Sequence, residues 1–230
     1  MTVALFQKKD LVWQLVLRNL KVRYSRPVLG FLWPLLSPLF MVAVFYIAFA
    51  QILKVNIPEA PFIAYLMSAV FPWSIFQDSV LSSATSLVDN RNLLKESRFP
   101  QYLIPVSVVL TNALVFLPAL VIIIISSLVM LKGLPFFFIL LPFVLLVHLI
   151  LTVSLAIIAS ILYVKWRDTK FVLDAIFLLA FYLTPAFYSL QLVKTAFTQL
   201  AYQAYLLNPF VGMLCMYRIT LFKGFRRYAW

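Results

Sequence analysis

The chain's 230 residues carry a net charge of +12, although only 11% of them are charged; 64% are apolar and the mean hydropathy is +1.02. That excludes an ordinary soluble domain, which has no core able to bury so much apolar surface. The apolar residues fall in runs of roughly 20 or more, the length a helix needs to cross ~30 Å of hydrocarbon, so the sequence predicts an all-α integral membrane protein with 1–230 as a single transmembrane domain.

The first predicted element is an amphipathic helix over 8–26. Asp10, Gln14, Arg18, Lys21 and Ser25 recur at helical spacing and form one narrow polar stripe, while Leu11, Val12, Leu15, Val16, Leu20 and Val22 take most of the remaining surface. Such a helix lies along a membrane interface, its apolar side in the acyl boundary and its basic side toward headgroups. A plain topology anchor has the same pattern. Asn19 and Arg23 interrupt the apolar side, which leaves part of that face for contact with protein. Met1 to Phe6 reads as no cleavable signal, since it leads into a charged stretch without a small-residue cleavage site.

Five apolar spans follow, at 31–53, 62–88, 105–131, 136–164 and 171–192, separated by short breaks with turn or charge signals. Pro34, Pro38, Pro72, Pro118, Pro142 and Pro185 fall inside them. Membrane helices tolerate proline where neighbours satisfy the freed carbonyls, so kinks are expected here and not ends. With the N-terminus inside, twelve Lys and Arg residues fall on the inner side, and the outer loops before the last apolar segment hold three, Lys54, Lys132 and Lys194. Cytoplasmic loops retain positive charge, which predicts a multi-pass protein with a cytoplasmic N-terminus. The net charge is then mainly a topology signal, with anionic membrane lipid as its natural partner. Nucleic acid is not expected as a partner, because the basic residues are spread between spans and make no continuous groove.

The connection 89–104 between spans two and three has the shape of a docking element. Asp89 or Asn90 can cap a short helix and Pro100 stops it. Leu93, Leu94 and Phe99 supply apolar knobs among Arg91, Asn92, Lys95, Glu96 and Arg98. An ordinary surface loop could have the same composition. Beyond span five, 204–222 is apolar but broken by Asn208-Pro209 and carries Arg218. The basic tail from Lys223 is too short to span.

Polar residues inside spans should face protein or water, because a charge at mid-bilayer costs roughly 2.5–3.5 kcal/mol on insertion scales. Asp78, with Gln77, Ser79, Ser82, Ser83, Thr85 and Ser86, makes the second half of span two rich in hydrogen-bonding groups, suited to interhelical contacts or to a conduit. His148 has no Cys, Glu or second His near it in sequence and is read as a packing residue. The single cysteine, Cys215, allows no intramolecular disulfide and no Cys cluster. One His and one Cys far apart give no nucleophile with its base, so catalytic residues and metal ligands are both expected to be none. An intramembrane glycolipid-modifying enzyme is therefore a weaker alternative. A secondary transporter or flippase is weaker too, since it would need several carboxylates in the spans and only Asp78 lies well inside one.

Arg23-Tyr24-Ser25-Arg26-Pro27-Val28-Leu29-Gly30-Phe31-Leu32-Trp33-Pro34 resembles the RY…LG…W opening of the ABC-2 polysaccharide exporter permeases, the transmembrane subunits of O-antigen, capsule and teichoic acid exporters. Phe71-Pro72-Trp73-Ser74-Ile75-Phe76 is similar to the family's PW-x-x-F in span two. Asn92-Leu93-Leu94-Lys95 with Phe99-Pro100 and Pro105 is similar to its N-L-(I/L)-K…FP…P segment. Arg167-Asp168, Thr184-Pro185 and Asn208-Pro209 fit in the same order, so the likeness extends over nearly the whole chain.

The resemblance implies an ABC-2 exporter fold of type V-like architecture, working as a homodimer with two copies of a separate ATPase. This sequence has no G-x-x-x-x-G-K-[ST] phosphate loop, so ATP and Mg would be bound by that partner and the permease would be no enzyme itself. Carried over residue by residue, Arg91 to Phe99 would be the coupling helix in a groove of the ATPase, and Arg167 and Asp168 a smaller second contact. Lys9 to Ser25 would be an interfacial gate helix, with Arg18, Lys21, Arg23 and Tyr24 on it. Spans one and five would line the translocation path at the dimer interface, which makes Phe40, Phe45, Tyr46, Phe49, Phe177, Phe181, Tyr182, Phe187 and Tyr188 the expected glycan conduit. The substrate would be an undecaprenyl-linked polysaccharide, O-antigen first, moving outward across the bacterial plasma (inner) membrane. The resemblance also likens 204–222 to short re-entrant external helices and implies a sixth span beyond the five visible.

Overall fold

Apolar runs become helices because hydrocarbon offers no water to the backbone, whose N–H and C=O groups must bond one another. The computed structural model describes residues 2–24, 32–55, 57, 60–96, 100–131, 133, 135–223 and 225. Among these, helix is the dominant element. The order is α1 (Thr2–Tyr24), α2 (Trp33–Phe45) continued by a π-helical turn (Tyr46–Ile52), α3 (Phe62–Asp89), α4 (Arg91–Glu96) and α5 (Leu103–Leu131). A 3₁₀ segment (Phe136–Leu140) then leads into α6 (Leu141–Lys165), followed by α7 (Thr169–Tyr182), α8 (Leu190–Ala196), α9 (Gln199–Leu206) and α10 (Pro209–Leu221). Trp33–Ile52, Leu103–Leu131 and Phe136–Lys165 are each long and apolar enough to cross a bilayer. α3 has 28 residues, about 42 Å at the helical rise, and its second half carries the polar residues from Gln77 to Ser86. These helices make an all-α, multi-pass membrane protein.

The prolines divide into three kinds. Helices α2, α3 and α5 continue through Pro38, Pro72 and Pro118. Pro34 and Pro142 sit in the first turns of α2 and α6, where the missing N–H is no loss, so they start helices and do not bend them. At Pro185 the expected kink is an end: the stretch 171–192 is helical to Tyr182 only and resumes at Leu190. The ring of Pro185 would collide with the Phe181 carbonyl of a continued helix. That carbonyl instead takes both the backbone N–H of Thr184 at 3.1 Å and its hydroxyl at 2.7 Å, which closes the last turn.

The residues gather into two compact units. The first comprises Met1–Pro34, Ile75–Leu117 and Leu149–Leu178. Small side chains such as Ser83, Ala84, Ala156 and Ser160 are buried in it, as expected where membrane helices approach closely. The second comprises Leu35–Ser74, Pro118–His148 and Leu179–Trp230, and its interior is filled by Tyr65, Leu66, Leu214, Tyr217 and Leu221. There α10 packs against the 3₁₀ segment and α9.

Candidate functional site

Helix α4 forms where the sequence predicts a docking element, and both candidate caps make side-chain hydrogen bonds back to α3 or to α1. Asn90 Nδ2 donates to the Ser86 carbonyl at 2.8 Å while its Oδ1 accepts from Arg18. The Asp89 carboxylate accepts from the Thr85 hydroxyl at 2.7 Å. The Asn90 carbonyl serves α4, taking the Leu94 N–H at 3.1 Å. Arg91 and Asn92 are exposed, and Leu93 and Leu94 are half-buried. Lys95 and Glu96 complete the helix, whereas Arg98 and Phe99 lie outside the described residues. The second predicted contact, Arg167 and Asp168, is exposed between α6 and α7 and belongs to the same unit as α4. The Arg167 guanidinium lies 5.3 Å from the Tyr163 ring centre, and the Asp168 carbonyl accepts the first-turn N–H of Val172 at 3.1 Å.

Helix α1, expected at the membrane interface, meets protein along the face that Asn19 and Arg23 interrupt. Leu15 and Val16 are buried, and side-chain hydrogen bonds leave the helix toward Asn90 and α5. Arg18 donates to Asn90, Asn19 Nδ2 to Ser107 Oγ at 3.3 Å, and Arg23 to Asn112 Oδ1. Lys21 is exposed, and Tyr24 ends the helix; Ser25 to Phe31 of the opening motif lie outside the described residues. Ser107 and Asn112 were not singled out from the sequence. Their signal was a pair of polar residues in an otherwise apolar run.

Six of the predicted conduit aromatics come together in the second unit. Phe49 and Phe187 stack at 4.8 Å between ring centres, Phe45 lies 5.7 Å from Phe187 and 5.9 Å from Phe181, and Tyr182 and Tyr188 flank Phe187 at 5.8 and 5.3 Å. Trp73, 5.6 Å from Phe181, joins the cluster without having been predicted for it. Tyr46 stands on the π-helical turn, where its hydroxyl accepts from Gln51 at 3.0 Å. Phe177 is buried in the first unit against Phe76 at 5.2 Å, and Phe40 is 60% exposed; within the cluster Phe181 is buried.

The break after α7 is held by Arg218, noted in the sequence as a cation in an apolar segment, and by Tyr65, which was not singled out. Arg218 of α10 is fully buried and donates Nη1 to Tyr65 Oη at 2.8 Å, Nε to Ser68 Oγ at 3.3 Å and Nη2 to the Ala186 carbonyl at 3.4 Å. Tyr65 in turn donates to the Tyr188 carbonyl at 2.9 Å. Two backbone acceptors freed by the break thus find donors, which is the condition for irregular backbone at membrane depth. His148, also buried, pairs through Nδ1 with the Tyr217 hydroxyl at 2.9 Å, in keeping with a packing role.

A family model for ABC-2 type transporters matches residues 10–222. The chain belongs to that family. This ABC-2 type transporter is 31% identical over 219 residues to the O-antigen export system permease protein RfbA of Myxococcus xanthus, covering 95% of the chain and 83% of that relative. It is 29% identical over 229 residues to a protein of the same name from Klebsiella pneumoniae, covering 96% and 83%.

Proposed function

We propose that this ABC-2 transporter chain is the permease subunit of an exporter that moves a lipid-linked polysaccharide outward across the bacterial inner membrane. The observation that carries the reading is the likeness to an O-antigen export permease along 95% of the chain. It acts as a homodimer with two ATPase subunits, which bind ATP and Mg. Helix α4 and the Arg167–Asp168 corner are the parts offered to the ATPase, since both are exposed turns of one unit and carry mixed charge with apolar knobs. The N-terminus and α4 face the cytoplasm, in line with the Lys and Arg bias. The aromatic cluster and Tyr46 give a moving glycan weak, repeated contacts: sugar C–H faces stack on rings and tyrosine hydroxyls exchange hydrogen bonds, with no charged site to trap the chain.

Deleting the gene should leave undecaprenyl-linked polysaccharide inside the cell and none at the surface, with export restored by the permease only when its ATPase is present. Surface polysaccharide that persists in the deletion strain would overturn the reading.

A further inference from the structure

The first unit contains a polar cleft of about 380 Å³ beside the start of α4. Arg18 and Arg23 of α1, Ser82 and Asp89 of α3, and Thr111 and Asn112 of α5 line it. Asn112 is only 2% exposed, and while its Oδ1 accepts from Arg23, its Nδ2 has no partner among the described residues. A buried donor without an acceptor is costly, and an oxygen atom entering the cleft would remove that cost. The charges lining the cleft are two guanidinium groups and one carboxylate, Asp89, which accepts from Thr85; Asp78 also acts on Arg23 electrostatically. Guanidinium forks match phosphate oxygens in pairs, and the hydroxyls and Asp89 suit the polar groups that flank a phosphate.

An apolar groove of about 840 Å³ adjoins the preceding turns of the same helix, lined by Val12, Trp13 and Val16 of α1 and Leu110, Leu114 and Leu117 of α5. Helix α1 therefore presents an apolar groove and then a cationic, donor-rich cleft within three turns. We propose that the cleft binds the phosphate headgroup of a membrane amphiphile whose chain lies in the groove. That headgroup chemistry has two sources, a bilayer phospholipid or the diphosphate of a lipid-linked glycan.

The test uses the delipidated protein in detergent, titrated with fluorescent phosphatidylglycerol, undecaprenyl diphosphate and, as a neutral control, diacylglycerol. Both phosphate probes should outbind diacylglycerol. Asn112→Leu and Arg18→Gln should each weaken phosphate binding about tenfold, the loss of one charge-assisted hydrogen bond, and Lys194→Gln, in the other unit, should leave it unchanged. Arg18 is exposed, so its variant keeps the test alive if Asn112→Leu fails to fold. Tighter binding of undecaprenyl diphosphate assigns the cleft to the exported substrate; tighter binding of phosphatidylglycerol assigns it to a bilayer lipid. Diacylglycerol binding equal to the phosphate probes, or affinities unchanged in both cleft variants, overturns the proposal. Only the undecaprenyl diphosphate arm rests on the exporter reading, so phosphatidylglycerol binding that the variants weaken upholds the cleft even if the protein exports no glycan.

Discussion

The guanidinium of Arg218 lies 3.5 Å from the ring centre of Tyr65 and donates to its hydroxyl at 2.8 Å, across 153 residues of sequence. Tyr65 passes the connection on to the Tyr188 carbonyl, while Arg218 reaches Ala186, so one pair supports both sides of Phe187. Tyr65→Phe should leave a buried cation short of one acceptor and a carbonyl short of one donor, at a cost of about 2 kcal/mol. Arg218→Met removes the other end of the same network, so the double variant should lose clearly less than the sum of the single losses. Thermal melting of the detergent-solubilised complex measures this. Strict additivity would show that the two side chains do not act as a unit.

Leu94→Asp tests α4 as the docking element. The helix itself should survive, because its start depends on a backbone bond, Leu94 N–H to the Asn90 carbonyl, and Leu94 is only half-buried. At an ATPase contact, an unpaired carboxylate buried against protein costs about 3 kcal/mol or more, roughly a hundredfold in affinity. The variant should insert at normal levels, fail to retain the ATPase on purification, and lose export. Normal export by the membrane-inserted variant would remove α4 from the coupling contact.

The orientation is testable with single cysteines placed in a Cys215→Ala background. An impermeant thiol reagent should label Lys194→Cys in spheroplasts and Arg167→Cys only in inverted vesicles, because the topology proposed from the positive-charge bias has these residues on opposite sides. Both sites are exposed, so access is decided by the membrane and not by packing. Labelling of Arg167→Cys from outside would reverse the topology.

The helices were legible because run length and backbone satisfaction in hydrocarbon leave few choices, and α4 because turn residues bracket it. Pro185 was not legible. A proline in a span bends or ends the helix according to whether distant donors exist, and here they are Tyr65 and Arg218, neither near it in sequence. Arg218 itself was visible as a cation in an apolar segment, but its partners were not. Asn19 and Arg23 were seen to interrupt an apolar face, yet their acceptors Ser107 and Asn112 depend on how α1 lies along α5. Helix rotation was the other missing quantity. It separates buried Phe177 and Phe181 from exposed Tyr182, although all three share one helix and one aromatic pattern.

That separation sharpens the prediction about the conduit. A residue that fills the interior of the protomer cannot touch a passing glycan, so among the α7 aromatics the test belongs to Tyr182, which is exposed. Tyr46 is its counterpart on the π-helical turn, a local geometry that recurs at functional sites because it displaces side chains from the regular helical rows. Ring contacts are worth about 0.5–1.5 kcal/mol each beyond burial, so losing one contact should slow transport severalfold without abolishing it. Tyr46→Ala with Tyr182→Ala should therefore reduce polysaccharide export on the order of tenfold, with dimer assembly and basal ATP hydrolysis of the complex preserved. The measurement is surface polysaccharide per unit time at matched membrane levels of permease and ATPase, with hydrolysis followed in the same membranes. Wild-type export in the double variant would return both tyrosines to packing, and a parallel fall in basal hydrolysis would place their effect on assembly and not on the glycan.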